Sequence, residues 1–510
     1  MNAESTGTRG TAGAKVALFA LSLALALAAS PQTSPQGFGR TGPSIDAAKA
    51  PSFVARRAKL MEIHKDGVIV IPSQYRSRDS LQDNLNFVYL TGLKMPDAVL
   101  VLDPGGSPRE TIFRRMTAGG PSGARGTTGQ AGRSGNPEGT APLSQEPPAS
   151  DPGVVEKPNT QLSQTLFGLV GAGRAKRVYL PFSDFDFLTR TFGTMGAVNP
   201  FFLSDTLVNV DPTLAELRLT KDAEEIAALR EAIDLTAEAL NEAFRAAEPG
   251  MREADLAAIL RYAFDKRETE DSFLQAASGP NSTNVHFGAT ARLLAAGDIV
   301  VFDVGAWVRG YTSDISRTIP ASGRFTKEQR EIYALVLEAQ KAGCAKLVPG
   351  VTFKAVQTDV ENILMAGLEK LGLVTDIKSA WQRRLYIQHG FGHGIGLDVH
   401  DVWAWHFRRL DKVAMAPGMV MTMEPGLYFP ENYLQESLDE LKGAVPDAEI
   451  AAFRDKAGPV YKKYAGIGVR IEDDVLITPG GNEILSIRVP KEIADIEKMM
   501  REKSPHNLLK

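Results

Sequence analysis

Three acidic residues sit where a folded chain tolerates them least. Asp303 lies within the apolar run "IVVFDVG", Asp314 within "YTSDISRT" and Glu472 within "GVRIEDDVLIT". Runs rich in Val, Ile and Thr read as β-strands. A carboxylate in a buried strand is costly unless it is paired, hydrogen-bonded or bound to a metal. The fold must therefore bring partners to these positions. The segment "AWVRG" reads as the turn of a hairpin centred between Val308 and Arg309, which places Asp303 directly opposite Asp314. Opposed residues have Cβ atoms ~4.5–5.5 Å apart. Two carboxylates that close repel each other and raise one pKa. A cation between them removes the repulsion.

Other segments offer groups that complete such a site. "MVMTMEPGLY" puts Glu424 at the end of an apolar run, before an expected Pro425-Gly426 turn. Arg470 and Glu472 share a face if their segment is a strand, so Arg470 is expected to orient and charge-balance Glu472. "HGFGHGIGLDVH", residues 389–400, holds three of the chain's seven histidines. Its glycines at 390, 392, 394 and 396 alternate with His389, Phe391, His393, Ile395 and Leu397. In an extended conformation one face is bare and the other carries His389 and His393. A bare face permits close approach of another backbone or a substrate. A helix would also put the two histidines together, but each glycine costs it nearly ~1 kcal/mol.

Taken singly, these residues say little, because a lone Asp near a turn is usually a local cap. Taken together, Asp303, Asp314, His393, Glu424 and Glu472 form a hard, oxygen-rich donor set with one imidazole. That set suits two divalent cations such as Mn²⁺, with Zn²⁺ or Co²⁺ also compatible. Two cations ~3.5–4 Å apart can hold a bridging hydroxide and polarise a carbonyl, which is hydrolytic chemistry.

The rest of the chain sets the frame. At 510 residues it is long enough for two or three domains. A net charge of −4 gives no bulk attraction to nucleic acid or anionic membranes. The lone Cys344 excludes an internal disulfide and any CxxC metal site. Residues 1–28 read as a secretory signal: Arg9 and Lys15 flank the apolar run "VALFALSLALALA", which ends in an Ala26-Leu27-Ala28 cleavage pattern. A secreted or periplasmic location is expected, and the run is short for a membrane anchor, which takes roughly 20 apolar residues.

A linker at 29–50 precedes an α/β domain expected over 51–212. In it, 52–67 reads as a helix, while "VIVIP", "AVLVLDP", "NLNFVYLTG" and "RVYLP" read as strands. Residues 117–158, rich in Gly, Pro, Ser and Thr, read as a disordered insertion. A long helix is expected over 220–250 with Thr220 as its cap, a second over 251–267, and others near 326–347 and 353–371. Helices mixed with hairpins from 213 to 500 make an α+β domain rather than a βαβ repeat.

"FDVG", "YTSDISRT", "HGFGHGIGLDVHD", "MEPGLY" and "GVRIEDDVLIT" together resemble the motifs of pita-bread metallopeptidases, in particular the branch of Xaa-Pro aminopeptidase (aminopeptidase P) and prolidase. "RRAKLM", "NFVYLTG" and "PDAVLVL" resemble the N-terminal domain of the same branch. The resemblance implies a dinuclear exopeptidase acting on peptides with proline at the second position. It implies that Asp303 binds one metal, Asp314 and Glu472 bridge both, and His393 and Glu424 hold the second. It further implies that Glu424 moves protons, that His286 and His400 serve substrate and transition state, that His389 is a further active-site histidine, and that Arg470 supports the bridging Glu472. Relatives are commonly homo-oligomeric. His64, His406 and His506 match no motif and read as surface or packing residues. The segment 430–465 is longer than a compact aminopeptidase P requires and resembles a prolidase extension, so a dipeptidase remains the rival. A catalytically inactive binding protein and a metal-free creatinase-like enzyme both fit less well, because no ligand position is substituted.

Overall fold

In the computed structural model the described residues are 45–76, 81–115, 153–171, 173–183, 187, 206–402, 409, 411–502 and 504. The export signal, residues 29–44 of the linker, residues 117–152 of the insertion, His406 and His506 lie outside them. The linker ends earlier than its composition indicates. Ile45–Lys49 is a short 3-10 helix with Ala48 buried, and Ala48 O accepts a bond from Arg57.

The N-terminal part comprises α1 (Pro51–Ile63), β1 (Gly67–Pro72), α2 (Leu85–Thr91), β2 (Val99–Leu102), β3 (Glu110–Arg114), β4 (Val155–Pro158), α3 (Leu162–Gly171), β5 (Arg177–Leu180) and β6 (Leu207–Asn209). These six strands form one mixed sheet in the order β4-β3-β2-β1-β5-β6, and two further short strands, Gln74–Arg76 and Leu81–Asp83, pair with each other apart from it. Val68 and Val70 of β1 pack with Leu166 and Leu169 of α3. Ile69 and Ile71 join the cluster that holds Leu60 of α1 and Phe87 of α2. A strand covered on both faces shows an unbroken apolar run, which is why "VIVIP" has no alternation.

Two expectations fail here. "NLNFVYLTG" forms α2, not a strand. The Asn84 side chain accepts the Asn86 N–H at its start, and Gly92 closes it at φ 69°. Phe87 to Thr91 are all buried, so burial erased the helical periodicity, and only the Asn and Gly caps carried the signal. The expected insertion at 117–158 also ends too late, because Val155–Pro158 is β4, pairing parallel with β3. This edge strand reads "VEKP", with no apolar run to announce it.

The second part starts with α4 (Asp211–Leu219), α5 (Ala223–Ala246) and α6 (Glu253–Asp265). Asp222 caps α5, with Glu225 reciprocating, whereas Thr220 closes α4. A carboxylate accepts both first-turn N–H groups better than a hydroxyl two residues too early can. Arg56 of α1 donates to Asp222 at 2.6 Å, tying this cap to the N-terminal part. The buried stripe of α5, from Leu229 through Ile233 and Leu240 to Phe244, follows helical spacing.

After these come β7 (Asp271–Ser278), a 3-10 helix (Gly279–Thr283), β8 (Ile299–Val308), β9 (Tyr311–Thr312), β10 (Ile315–Pro320), α7 (Lys327–Lys346), α8 (Phe353–Lys370), α9 (Ala380–Tyr386), β11 (Val420–Met423), β12 (Gly426–Tyr428), α10 (Tyr433–Glu440), α11 (Asp447–Tyr464), β13 (Gly468–Arg470), β14 (Asp473–Thr478), β15 (Gly481–Ile484) and α12 (Ile493–Met499). β8 lies between β7 and β10, β14 between β11 and β15, and β12 pairs with β13. Phe302 of β8 packs on Phe244 of α5 at 5.7 Å between ring centroids. Asp303, next along β8, therefore projects to the opposite face. The architecture is α+β, as the sequence indicates. Among the described residues, no helix is long and apolar enough to cross a membrane.

The hairpin register differs from the expected one. The turn is the residue pair Arg309 (φ 51°) and Gly310 (φ 87°), so Val308 faces Tyr311 and Asp303 faces Ser316, not Asp314. Two left-handed residues make the tight turn that matches strand twist, and Gly310 adopts its conformation without strain. The offset is two residues, so Asp303 and Asp314 keep one face and become diagonal neighbours. Pro425-Gly426 is also not a turn. The chain runs extended from β11 into β12 and exchanges β14 for β13 as partner. Proline lacks the N–H needed to continue the first ladder. The segment 430–465 folds as α10 and α11.

Candidate metal centre and active site

The histidine segment lies extended along β11. Thr422 N donates to His393 O at 2.8 Å, and Glu424 N to Phe391 O at 3.0 Å. This contact needs the bare face: a Cβ on Gly392 would lie 2.2 Å from Thr422 O. The pairing sets His393 and Glu424 side by side, with His393 Nε2 3.5 Å from Glu424 Oε1 and 3.3 Å from Asp314 Oδ2. Glu472 joins them because its N–H donates to Ser316 O at 3.0 Å, stitching it to β10. One ligand atom each from Asp314, His393 and Glu472 lies within 4.8 Å of the others.

Asp303 is held from the side. Arg470 Nη2 reaches its Oδ2 at 2.5 Å, and Ser316 Oγ lies 2.9 Å from its Oδ1. Ser316 Oγ also lies 2.8 Å from Glu472 Oε2 and accepts from Arg470 Nε at 2.8 Å. The direct partner of Arg470 is thus Asp303, and it reaches Glu472 through Ser316. The strand alternation that put Arg470 and Glu472 on one face said nothing of which neighbour in β8 would intervene. One hydroxyl proton faces two carboxylates here, so it cannot satisfy both at once.

The donors fit a cation. Asp314 Oδ1 and Glu472 Oε1 are buried without a hydrogen-bond partner. His393 Nδ1 faces the Gly394 carbonyl, an acceptor only, at 3.1 Å. That contact places the proton on Nδ1 and leaves the Nε2 lone pair facing two carboxylates. Burial, then repulsion from Asp303 and Glu424, pushes Asp314 well above the usual carboxylate range. Burial and Glu472 do the same to Glu424, and burial and Asp314 to Glu472. Behind them Asp474, which accepts the Asp314 N–H at 3.1 Å, is pushed up by burial to about 8. Orphaned oxygens, a lone pair and stacked negative charge are what divalent cations would satisfy.

This electrostatics has a pH consequence. Carboxylates with raised pKa values keep protons in the folded state that the unfolded chain releases. Stability of chelator-treated protein should therefore fall as pH rises from about 4, the unfolded carboxylate value, toward about 8, where Asp474 titrates. Cation binding should flatten that slope. Thermal melts of chelated and Mn²⁺-loaded protein across this range check it; parallel pH profiles would contradict it.

The other histidines surround this set. His389 Nδ1 lies 2.6 Å from Gly390 O and Nε2 3.0 Å from Tyr428 Oη. Burial and Arg470 push its pKa down to about 4. His400 sets its ring edge-on to His393 at 4.4 Å, and the protein packed around its solvent-facing ring, with His393, holds its pKa near 3. His286 keeps an exposed edge, and the protein around it, with Arg470, lowers its pKa as well. These three are neutral imidazoles at neutral pH, able to donate or accept without carrying charge. His64 lies apart from the site, stacked on Tyr179 at 4.0 Å.

Two site residues escaped the sequence reading. Tyr428 Oη accepts from Arg470 Nη1 at 3.0 Å and so links it to His389. It lies four residues after Glu424 on an extended run, the same face, and that spacing was its signal. Ser316 had none, because its role depends on the true hairpin register. Arg470→Met should destabilise chelated protein by roughly 3–5 kcal/mol, since it strands Asp303 and removes four donated bonds. Denaturant unfolding measures this, and a loss under about 1 kcal/mol, the value of an exposed pair, would contradict the buried network.

Comparison with known proteins agrees with this geometry. Residues 227–479 match metallopeptidase family M24, and residues 53–118 match the aminopeptidase P N-terminal domain. The Xaa-Pro aminopeptidase of Escherichia coli (strain K12) is 32% identical over 475 residues, covering 88% of this chain and 97% of that protein. The human Xaa-Pro dipeptidase is 30% identical over 326 residues, covering 59% of this chain and 64% of its own length. The structure of Pseudomonas aeruginosa aminopeptidase PepP superposes with a TM-score of 0.68 at 29% identity, covering 88% of this chain and 97% of that one. The chain belongs to metallopeptidase family M24, in the pita-bread branch of the Xaa-Pro aminopeptidases and prolidases.

Proposed function

We propose that this protein is a metallo-aminopeptidase that hydrolyses the Xaa-Pro bond at the N-terminus of peptides, with two Mn²⁺ ions as its resident metals. The observation that carries this is the convergence of Asp303, Asp314, His393, Glu424 and Glu472, two of them with buried oxygens lacking any hydrogen-bond partner. When bound, two divalent cations supply an activated water and a Lewis acid for the scissile carbonyl.

The chain's own groups do the rest. Glu424 has 17% side-chain exposure against 6% for Asp314, so it is the better placed of the two to exchange protons with substrate. His400 and His286, both neutral, donate toward the carbonyl oxygen as negative charge develops on it. Arg470 balances Asp303 and, through Tyr428, fixes His389. Proline presents a tertiary amide and a fixed φ, a shape that a closed pocket can select.

The aminopeptidases of Escherichia coli and Streptomyces align over 88–89% of this chain, whereas the dipeptidase relatives and one aminopeptidase, that of Haemophilus influenzae, align over 57–59% of it. This favours longer peptides over dipeptides, and the α10–α11 segment is where a dipeptidase restriction would arise. Assay of Mn²⁺-loaded protein on Xaa-Pro-Yaa and Xaa-Pro tests the reading. Chelator-sensitive release of Xaa from the tripeptide supports it; cleavage of the dipeptide alone makes the protein a prolidase. Export rests on the sequence of residues 1–28. N-terminal sequencing tests it, with a start at Ala29 in favour and retention of Met1 against.

A further inference from the structure

We propose that Asp401 is a positioning residue for His400, clamped by Arg218 and Lys221 from the segment that leads into the catalytic part. This rests on the reading of His400 as a donor to the reacting carbonyl. Asp401 is a single carboxylate held between two cations, with side-chain exposures of 2% for Asp401, 8% for Arg218 and 1% for Lys221. Arg218 Nη2 bonds its Oδ1, and Lys221 Nζ lies 2.9 Å from its Oδ2. Lys221 Nζ also donates to Arg218 O at 2.8 Å, closing the clamp on itself. Arg218 Nη1 reaches Asn86 Oδ1 of α2 at 2.9 Å, so the clamp is anchored in the N-terminal part.

The backbone shows what the clamp holds. Asp401 N donates to Gly394 O at 2.9 Å, one residue from His393. A Cβ on Gly396 would come 2.3 Å from Asp401 Oδ2, and one on Gly394 3.1 Å from Asp401 O. Half of the alternating glycines therefore make room for Asp401 rather than for β11. The next residue, Val402, has φ 50°, a left-handed conformation that a β-branched side chain disfavours. Such a turn persists where its surroundings over-determine it. His400 directly precedes the clamped Asp401, and its ring meets His393 edge-on at 4.4 Å, so the clamp sets the backbone from which that ring reaches the site. A buried ion cluster is an expensive way to gain stability, and a fixed geometry is one reason to keep it.

The test is a double-mutant cycle on full-length Mn²⁺-loaded protein with an Xaa-Pro-Yaa substrate. Asp401→Asn should lower kcat about 10–100-fold, the scale of a ~1 Å misplacement. KM and bound metal should stay at wild-type values. In a His400→Ala background the same substitution should cost nothing further, because a group acting through His400 has nothing left to place. Gly396→Ala should reproduce the pattern by displacing the carboxylate. An equal loss in both backgrounds, or loss of bound metal, would overturn the proposal. If wild type turns over and His400→Ala does not slow it, the reading of His400 fails, and the positioning role falls with it. Should Asp401→Asn fail to fold, Arg218→Lys keeps the charge, loses the forked contact, and should give a smaller kcat loss with the same dependence on His400.

Discussion

Glu424→Ala should abolish turnover of Xaa-Pro-Yaa, lowering kcat by about 10³-fold, the upper range for removing one group that stabilises transition-state charge. The expectation follows from position. Glu424 follows β11 and donates its N–H to Phe391 O of the histidine segment, which sets its carboxylate 3.5 Å from His393 Nε2 and 3.9 Å from His389 Nδ1. In the proposed centre it would be a cation ligand, and it is the carboxylate of the pair Asp314–Glu424 more open to solvent. The same variant should make chelated protein more stable, because burial and Glu472 hold Glu424 well above its ordinary pKa. Removing a repelled carboxylate relieves the metal-free fold at neutral pH. Activity lost with metal-free stability gained is a signature that simple misfolding cannot produce. Near-normal turnover would remove Glu424 from the centre.

His400→Ala should lower kcat by roughly 10²–10³-fold, as loss of an oxyanion donor does, while both metals remain bound. The imidazole is not among the groups within ligand distance of one another, yet its ring touches that of His393. With its pKa held near 3, it is neutral through the working pH range and donates without titrating. The kcat loss should therefore be constant above about pH 5. A loss that tracks a titration near neutrality, or one that accompanies metal loss, would assign it a different role.

Much of this site was legible because burial makes carboxylates conspicuous. Asp303, Asp314 and Glu472 stand out against Val and Ile, and buried there they call for a charge partner, hydrogen bonds or a cation whatever the register. The register itself was not legible. "VRG" allows a turn one residue either way, and only the backbone angles of Arg309 and Gly310 decide it. Pairings that cross between sheets were equally hidden, so Ser316 and Tyr428 went unnoticed and Arg470 was assigned to Glu472 before Asp303. In the N-terminal part, α2 passed for a strand because it is buried on every side, whereas β1 was plain for the same reason. The alternating glycines of 390–396 announced close approach, but not that Asp401 was one of the two things approaching.

Asp303, Asp314, His393, Glu424 and Glu472 are proposed to form a two-metal hydrolytic centre. The most direct measurement is the rate of Xaa-Pro-Yaa hydrolysis as Mn²⁺ is titrated into chelated protein, with bound metal counted at each point. A two-metal centre should show no turnover without metal and full turnover at two equivalents. Turnover that persists in the chelated protein, or that never appears with two ions bound, would contradict it.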